Sequence, residues 1–149
     1  MRAVIQRVKR AKVIVENNVI GEIENGFMVL LGVGKDDSEK DIIYLKEKIV
    51  NLRIFNDEDG RMNRSIIDVK GEILIVSQFT LYADVRKGKR PGFSDAADPK
   101  TANELYEKFI FEMRETGIKI ETGKFGADMD VDFVNWGPVT LLLDSKKLF

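Results

Sequence analysis

Many short strand-like segments and only two helical ones predict a mixed α/β fold, with sheet layers covered on one side by helices. Three observations carry this. Apolar runs rich in Val and Ile recur through both halves of the chain. Apolar residues at three- and four-residue spacing mark just two stretches. The length of 149 residues suits one compact domain, and no repeat, linker or low-complexity segment divides it, so residues 1–149 are expected to form a single domain.

In chain order, Ala3 to Val8 and Lys12 to Glu16 read as strands, and Asn17-Asn18 turns the chain into a hairpin with Val19 to Ile23. Phe27 to Val33 is a strongly apolar strand. Asp36, Asp37 and Ser38 offer caps for a first helix whose apolar face is Ile42, Leu45, Ile49 and Leu52. Arg53 to Phe55 and Glu72 to Phe79 follow as strands. Asp98 and Pro99 open a second helix with Ala102, Leu105, Tyr106, Phe109 and Met113 on one face, and Gly117 stops it. Ile118 to Glu121, Val131 to Val134 and Pro138 to Leu143 complete a strand-rich end.

Composition narrows the chemistry. The chain has no His and no Cys, which excludes Ser-His-Asp and Cys nucleophile arrangements, disulfides and the usual zinc sites. Carboxylates alone remain as metal ligands, and Asp57-Glu58-Asp59 before Gly60 reads as a solvated turn, so no metal and no cofactor is expected. No apolar stretch approaches the roughly 20 residues that span a bilayer, and Arg2, Arg7, Lys9 and Arg10 interrupt any leader-like core. The expectation is a soluble, cytoplasmic protein without a membrane partner. The net charge is −1, yet Met1 to Lys12 carries five basic residues and no acid, and Arg86-Lys87-Gly88-Lys89-Arg90 adds four more. Such patches suit either a phosphate-bearing partner or plain solvation.

Two segments concentrate the candidate chemistry. Gly137-Pro138 abuts the apolar run Val139 to Leu143. Proline sits in sheets at edges, at bulges or at strand starts, so the pair is read as bare backbone at a strand mouth that a ligand can reach; an ordinary loop entering a strand fits as well. Ser77-Gln78-Phe79-Thr80-Leu81-Tyr82-Ala83 follows the buried-type run Ile73 to Val76. Continued alternation would put Gln78, Thr80 and Tyr82 on one side and Ser77, Phe79 and Leu81 on the other. These polar groups suit a site, or simply the satisfaction of a strand end.

Several segments together resemble one family. They are Met1 to Val8, Leu52-Arg53-Ile54-Phe55, Ser77 to Ala83, Lys87-Gly88-Lys89-Arg90-Pro91, Phe125-Gly126-Ala127-Asp128-Met129 and Gly137-Pro138-Val139-Thr140, in order over the whole length. The chain resembles the D-aminoacyl-tRNA deacylases. That resemblance implies a three-layer α/β sandwich of mixed β-sheets with two main helices covering one side, and a homodimer. It also implies hydrolysis of the ester between a D-amino acid and the terminal adenosine of tRNA, with no DNA partner. Ser77, Gln78, Phe79 and Thr80 would then be catalytic. Gly137 and Pro138, joined by a cis bond, would reach into the partner's pocket, grip the substrate amine with their carbonyls and reject L-amino acids, letting glycyl-tRNA through. Arg7, Phe125, Ala127 and Met129 become further pocket candidates, and Lys87, Lys89 and Arg90 tRNA-binding candidates. One departure is Trp136, where the family usually has an acidic residue, which puts a rim contact in doubt.

For the chemistry, Thr80 is the obvious hydroxyl, but no base lies near it in sequence, and an unactivated hydroxyl is a poor nucleophile. Hydrolysis by a positioned water, with backbone N–H groups around Phe79 and Thr80 stabilising the oxyanion and the adenosine 2′-hydroxyl assisting, is preferred over a Thr80 acyl-enzyme. A non-catalytic RNA-binding module would explain the basic patches but not the polar strand end. An L-aminoacyl editing domain would be expected to differ at Gly-Pro.

Overall fold

The layout follows from one long strand. A computed structural model describes residues 1–149, and in it β1 (Arg2–Val15) joins the two strands expected from Ala3 to Glu16. It is continuous because β8 (Asp130–Asp144) pairs with it antiparallel, from Arg2↔Asp144 to Ile14↔Asp130. On its other edge, Arg2 to Val8 pair with β3 (Gly26–Gly32) and Ala11 to Val15 with β2 (Asn18–Ile23). Glu16 and Asn17 turn the β1–β2 hairpin with positive φ of 49° and 64°, the backbone that matches the twist of paired strands.

β3 pairs in parallel with β6 (Glu72–Ser77), and β6 in parallel with β7 (Ile120–Thr122). Parallel neighbours need long crossovers, and each has one. α1 (Glu39–Asn51) and the small hairpin of β4 (Phe55–Asn56) and β5 (Met62–Arg64) connect β3 to β6; α2 (Pro99–Arg114) connects β6 to β7. The main sheet therefore runs β2-β1-β3-β6-β7, with β8 also on β1. β5 is not foreseen in the sequence, since Met62-Asn63-Arg64 has neither alternation nor β-branched residues.

Both helix starts follow local rules. Asp41 in the first turn of α1 accepts the Ser38 N–H at 2.8 Å, and Asp98 accepts the N–H groups of Lys100 and Thr101, each at 3.1 Å. The apolar faces of α1 and α2 pack on Ala3, Ile5, Phe27, Val29, Ile73 and Ile75. On the opposite face of the sheet, Val8, Ala11, Val13, Ile23, Met28, Leu74 and Val76 form a second core within the curl of the sheet. Helices, sheet and folded-over sheet make the three layers. β6 is buried on both faces, Ile73 and Ile75 toward the helices and Leu74 and Val76 away, as its unbroken apolar run requires. No helix is long and apolar enough to cross a membrane.

Candidate active site

β6 ends at Ser77, and the strand expected to run on to Phe79 does not. At Gln78 (φ −147°, ψ 82°) the chain leaves the sheet, and Phe79 to Tyr82 coil into a single 3-10 turn. The alternation read through Tyr82 is thus corrected to end with the strand. The turn docks on the end of β3, where Gln78 N–H donates to Leu31 O at 2.8 Å. Its first internal bond is from Leu81 N–H to Gln78 O, at 3.3 Å. The N–H groups of Phe79 and Thr80, at the start of the turn, have no acceptor within it.

Beside this turn lies a cleft of ≈ 480 Å³. Ser77, Gln78 and Phe79 line it together with Phe125, Ala127 and Met129, so the structure brings these six sequence candidates to one place. Pro99 and Ala102, from the start of α2, also line it, as do Gly126, Asp128 and Val131; periodicity marks Ala102 only as core. Asp128 is the only ionisable side chain on the wall. The Phe125 ring packs 5.7 Å from that of Tyr106, whose buried hydroxyl donates to Ile75 O at 3.0 Å. Burial pushes the Tyr106 phenol pKa up, which keeps it a donor. Phe79 is exposed and its ring lies 4.9 Å from Phe93.

Thr80 does not line the cleft. Its exposed hydroxyl accepts a hydrogen bond from the Gln78 side-chain amide, a neutral group that cannot take its proton. Geometry therefore supplies orientation for Thr80 but no activating base.

Gly137 and Pro138 also stand away from their own chain's cleft. Their peptide bond is cis, and both residues are exposed. Instead of a strand mouth, they occupy a bulge within β8: the β1–β8 register passes from Gln6↔Thr140 to Val8↔Asn135, so four residues of β8 stand opposite Arg7 alone. Asn135 bridges the bulge. Its amide oxygen accepts from Val139 N–H at 2.7 Å and its amide nitrogen donates to Val139 O at 3.1 Å, replacing lost ladder bonds. Arg7 supports the bulge from inside. It is 4% exposed, its Nε donates to Trp136 O at 2.9 Å and its Nη1 to Ile54 O at 2.5 Å, and its guanidinium lies 4.8 Å from the Trp136 ring. Burial lowers the Arg7 pKa. The structure thus places Arg7 outside the cleft and beneath Gly137-Pro138. Trp136 packs between Arg7 and Phe55 instead of forming a rim. The support from Asn135 is missing from the sequence reading; an Asn four residues before the strand resumes is too weak a local sign.

Lys87, Lys89 and Arg90 lie exposed on a loop closed by the Asp84↔Gly92 bridge, while Arg86 is held by Asp84 at 2.8 Å. The N-terminal basic stretch is largely consumed within the fold. Arg2 pairs with Asp144 at 3.3 Å, Arg10 and Lys12 pair with Asp132 at 3.2 and 3.7 Å, and Arg7 is buried.

The geometry is that of a cleft without His, Cys or a hydroxyl–base pair, built for positioning. A family described as D-Tyr-tRNA(Tyr) deacylase matches residues 4–144. The chain is 64% identical over 149 residues to the D-aminoacyl-tRNA deacylase of Thermosipho africanus, covering 100% of both. It is 58% identical over 148 residues to that of Aquifex aeolicus, covering 99% of this chain and 100% of the relative. A solved structure described as "c-Myc DNA Unwinding Element Binding Protein" superposes with a TM-score of 0.91 at 43% identity, over 97% of this chain and 98% of that one. Another, described as a "probable eukaryotic D-amino acid tRNA deacylase", has a TM-score of 0.81 at 18% identity over 95% and 97%, a likeness of fold alone. The chain belongs to the D-aminoacyl-tRNA deacylase family and is an ester hydrolase of D-aminoacyl-tRNA.

Proposed function

We propose that the cleft beside β6 holds the aminoacylated end of tRNA, and that Gly137-Pro138 of a second copy closes it against L-amino acids. One observation carries this reading. The cleft residues gather in one place, while the exposed Gly137 and Pro138 sit elsewhere on the same chain, on a bulge held by Arg7 and Asn135. A supported projection of bare backbone suits insertion into a neighbour. The same strand exposes Val134 and Leu142, apolar surface that a homodimer would cover. The carbonyls of Gly137 and Pro138 would accept hydrogen bonds from the substrate ammonium, leaving an L side chain facing backbone. Glycine has no side chain to exclude, so glycyl-tRNA is a substrate in this reading.

Hydrolysis then runs through a water that attacks the ester carbonyl. The N–H groups of Phe79 and Thr80 receive the oxyanion, the Gln78–Thr80 pair orients the site, and the adenosine 2′-hydroxyl assists deprotonation of the water. The carbonyl-to-3′-oxygen bond breaks, the 3′-oxygen takes a proton, and free D-amino acid and tRNA leave. Residues 1–149 act as a single domain, on the aminoacyl-tRNA of the cytoplasm and without a cofactor.

Mixing two impaired variants tests the cross-subunit site. Gln78→Ala disables the cleft and Gly137→Ala distorts the inserted backbone. Refolded together in equal amounts, they are expected to reach about a quarter of wild-type turnover, above that of either variant alone, since half the dimers are mixed and each of these keeps one intact site of two. No recovery in a demonstrated mixed dimer would place the Gly-Pro function within its own chain.

The exposed loop of Lys87, Lys89 and Arg90 serves as the tRNA contact. Neutralising all three is expected to weaken tRNA binding and lower the slope of log affinity against log salt by about 2–3, through lost counterion release. A DNA-binding reading, suggested by the description of the 43% identical structure, rests on the same loop. Titrating duplex DNA beside tRNA separates the two, and a preference for tRNA is expected. An unchanged tRNA slope would move the contact elsewhere.

A further inference from the structure

The 3-10 turn that carries Phe79 and Thr80 rests on the backbone of β3. A Cβ at Gly32 would lie 2.9 Å from Gln78 O and 3.1 Å from the Leu81 Cβ, and a Cβ at Gly34 would lie 2.7 Å from the Tyr82 hydroxyl oxygen. Room for the turn exists only because both positions are glycine. Two side chains then reach the far end of the turn from behind. Arg2 donates through Nη1 to Leu81 O at 2.9 Å, and its guanidinium lies 4.5 Å from the centre of the Tyr82 ring. The Tyr82 hydroxyl donates to Asp37 Oδ2 at 3.3 Å.

We propose that Arg2 and Tyr82 are positioning residues that brace this turn, and that the brace governs the rate at which a bound D-aminoacyl ester is hydrolysed. The inference rests on the reading of the cleft given above. Neither residue lines the cleft. Both are anchored to rigid parts of the fold. Arg2 Nε bonds Asp144 at 3.3 Å, its own ladder partner at the start of β1 and the end of β8. The Asp37 side chain, 1% exposed, also accepts the Gly34 N–H at 2.6 Å, and is balanced by the Met1 amino group at 2.6 Å and Lys146 at 3.5 Å. Burial, followed by the nearby charges of Asp37 and Asp144, pushes the Tyr82 phenol pKa up, so its hydroxyl stays a donor. A turn fixed at one end through Leu81 and Tyr82 holds its other end, the N–H groups of Phe79 and Thr80, still. Oxyanion stabilisation depends on donors placed before the reaction begins.

The test uses Tyr82→Phe, which keeps the ring and removes one oxygen, and Arg2→Lys, which keeps the charge but loses the planar fork. Steady-state turnover of D-aminoacyl-tRNA is measured alongside thermal unfolding. Each variant is expected to lose about tenfold in kcat with KM within about twofold, since small misplacements of reacting groups cost rate and not ground-state binding. The double variant should lose less than the product of the single losses, because both act on one turn. Wild-type kcat in a folded Tyr82→Phe, or a loss confined to KM, overturns the proposal. If Arg2→Lys does not fold, Tyr82→Phe decides alone. If the wild type itself fails to turn over D-aminoacyl-tRNA, the cleft reading falls and not the brace.

Discussion

Gly137→Ala is expected to lower kcat/KM for D-aminoacyl-tRNA by about 10- to 100-fold and to admit measurable hydrolysis of L-aminoacyl-tRNA. Gly137 has φ of 138°, a conformation that residues with a Cβ rarely adopt. A Cβ there would lie 2.7 Å from Val139 Cγ2 and 3.0 Å from Arg7 Nη2. Arg7 cannot retreat without abandoning its bonds to the Trp136 and Ile54 carbonyls, so the bulge itself must shift. Backbone strain of this kind costs about 1–3 kcal/mol, and each 1.36 kcal/mol corresponds to about tenfold in rate. Thr80→Ala is the control. It removes a hydroxyl from the turn and leaves the bulge alone, so it should slow turnover without admitting L-substrates. Rates on both enantiomers that match wild type in Gly137→Ala would separate the bulge from function.

Asp41→Asn is expected to cost about 1.5–3 kcal/mol of stability at neutral pH, the usual worth of hydrogen bonds to a charged group, since the Lys146 left behind is half-exposed and stays solvated. Asp41 is 6% exposed. Its Oδ1 receives Lys146 Nζ at 2.8 Å and the Ser145 hydroxyl at 2.6 Å, and its Oδ2 receives the Ser38 N–H at 2.8 Å. Burial alone would raise its pKa, but the bonds from Lys146, Ser145 and Ser38 overcome it and hold the carboxyl well below the usual range. The native state therefore binds this proton less readily than the unfolded chain. The stabilisation is complete above the unfolded value of about 3.9 and is lost as pH falls below it. Urea unfolding at several pH values checks both parts. The gap between wild type and Asp41→Asn should be full at pH 7 and shrink below about pH 4. A gap independent of pH down to strong acid would show that lost packing, not lost charge pairing, is responsible.

The helices were legible in the sequence because their signals are local. Asp98, Pro99 and the apolar spacing from Ala102 to Met113 specify α2 without reference to the rest of the chain. The turn after Ser77 was not. Phe79-Thr80-Leu81-Tyr82 has strand-like composition, and it coils because docking on β3 overrides propensity. The sequence of β8 reads as two strands parted at Gly137-Pro138, since a glycine and a proline look like an end. Pairing with β1 carries the strand past them, and no local pattern reveals a partner more than a hundred residues away. The site divides in the same way. Ser77, Gln78, Phe79, Phe125, Ala127 and Met129 are found as segments, whereas the support of the bulge by Arg7 and Asn135 is a fact of three-dimensional packing.

Side-by-side deacylation of D-tyrosyl-tRNA and L-tyrosyl-tRNA by the purified protein tests the proposed Gly137-Pro138 gate most directly, because a gate built from backbone would read handedness and little else. The D ester is expected to be hydrolysed and the L ester to decay no faster than in buffer. Equal hydrolysis of the two would contradict such a gate.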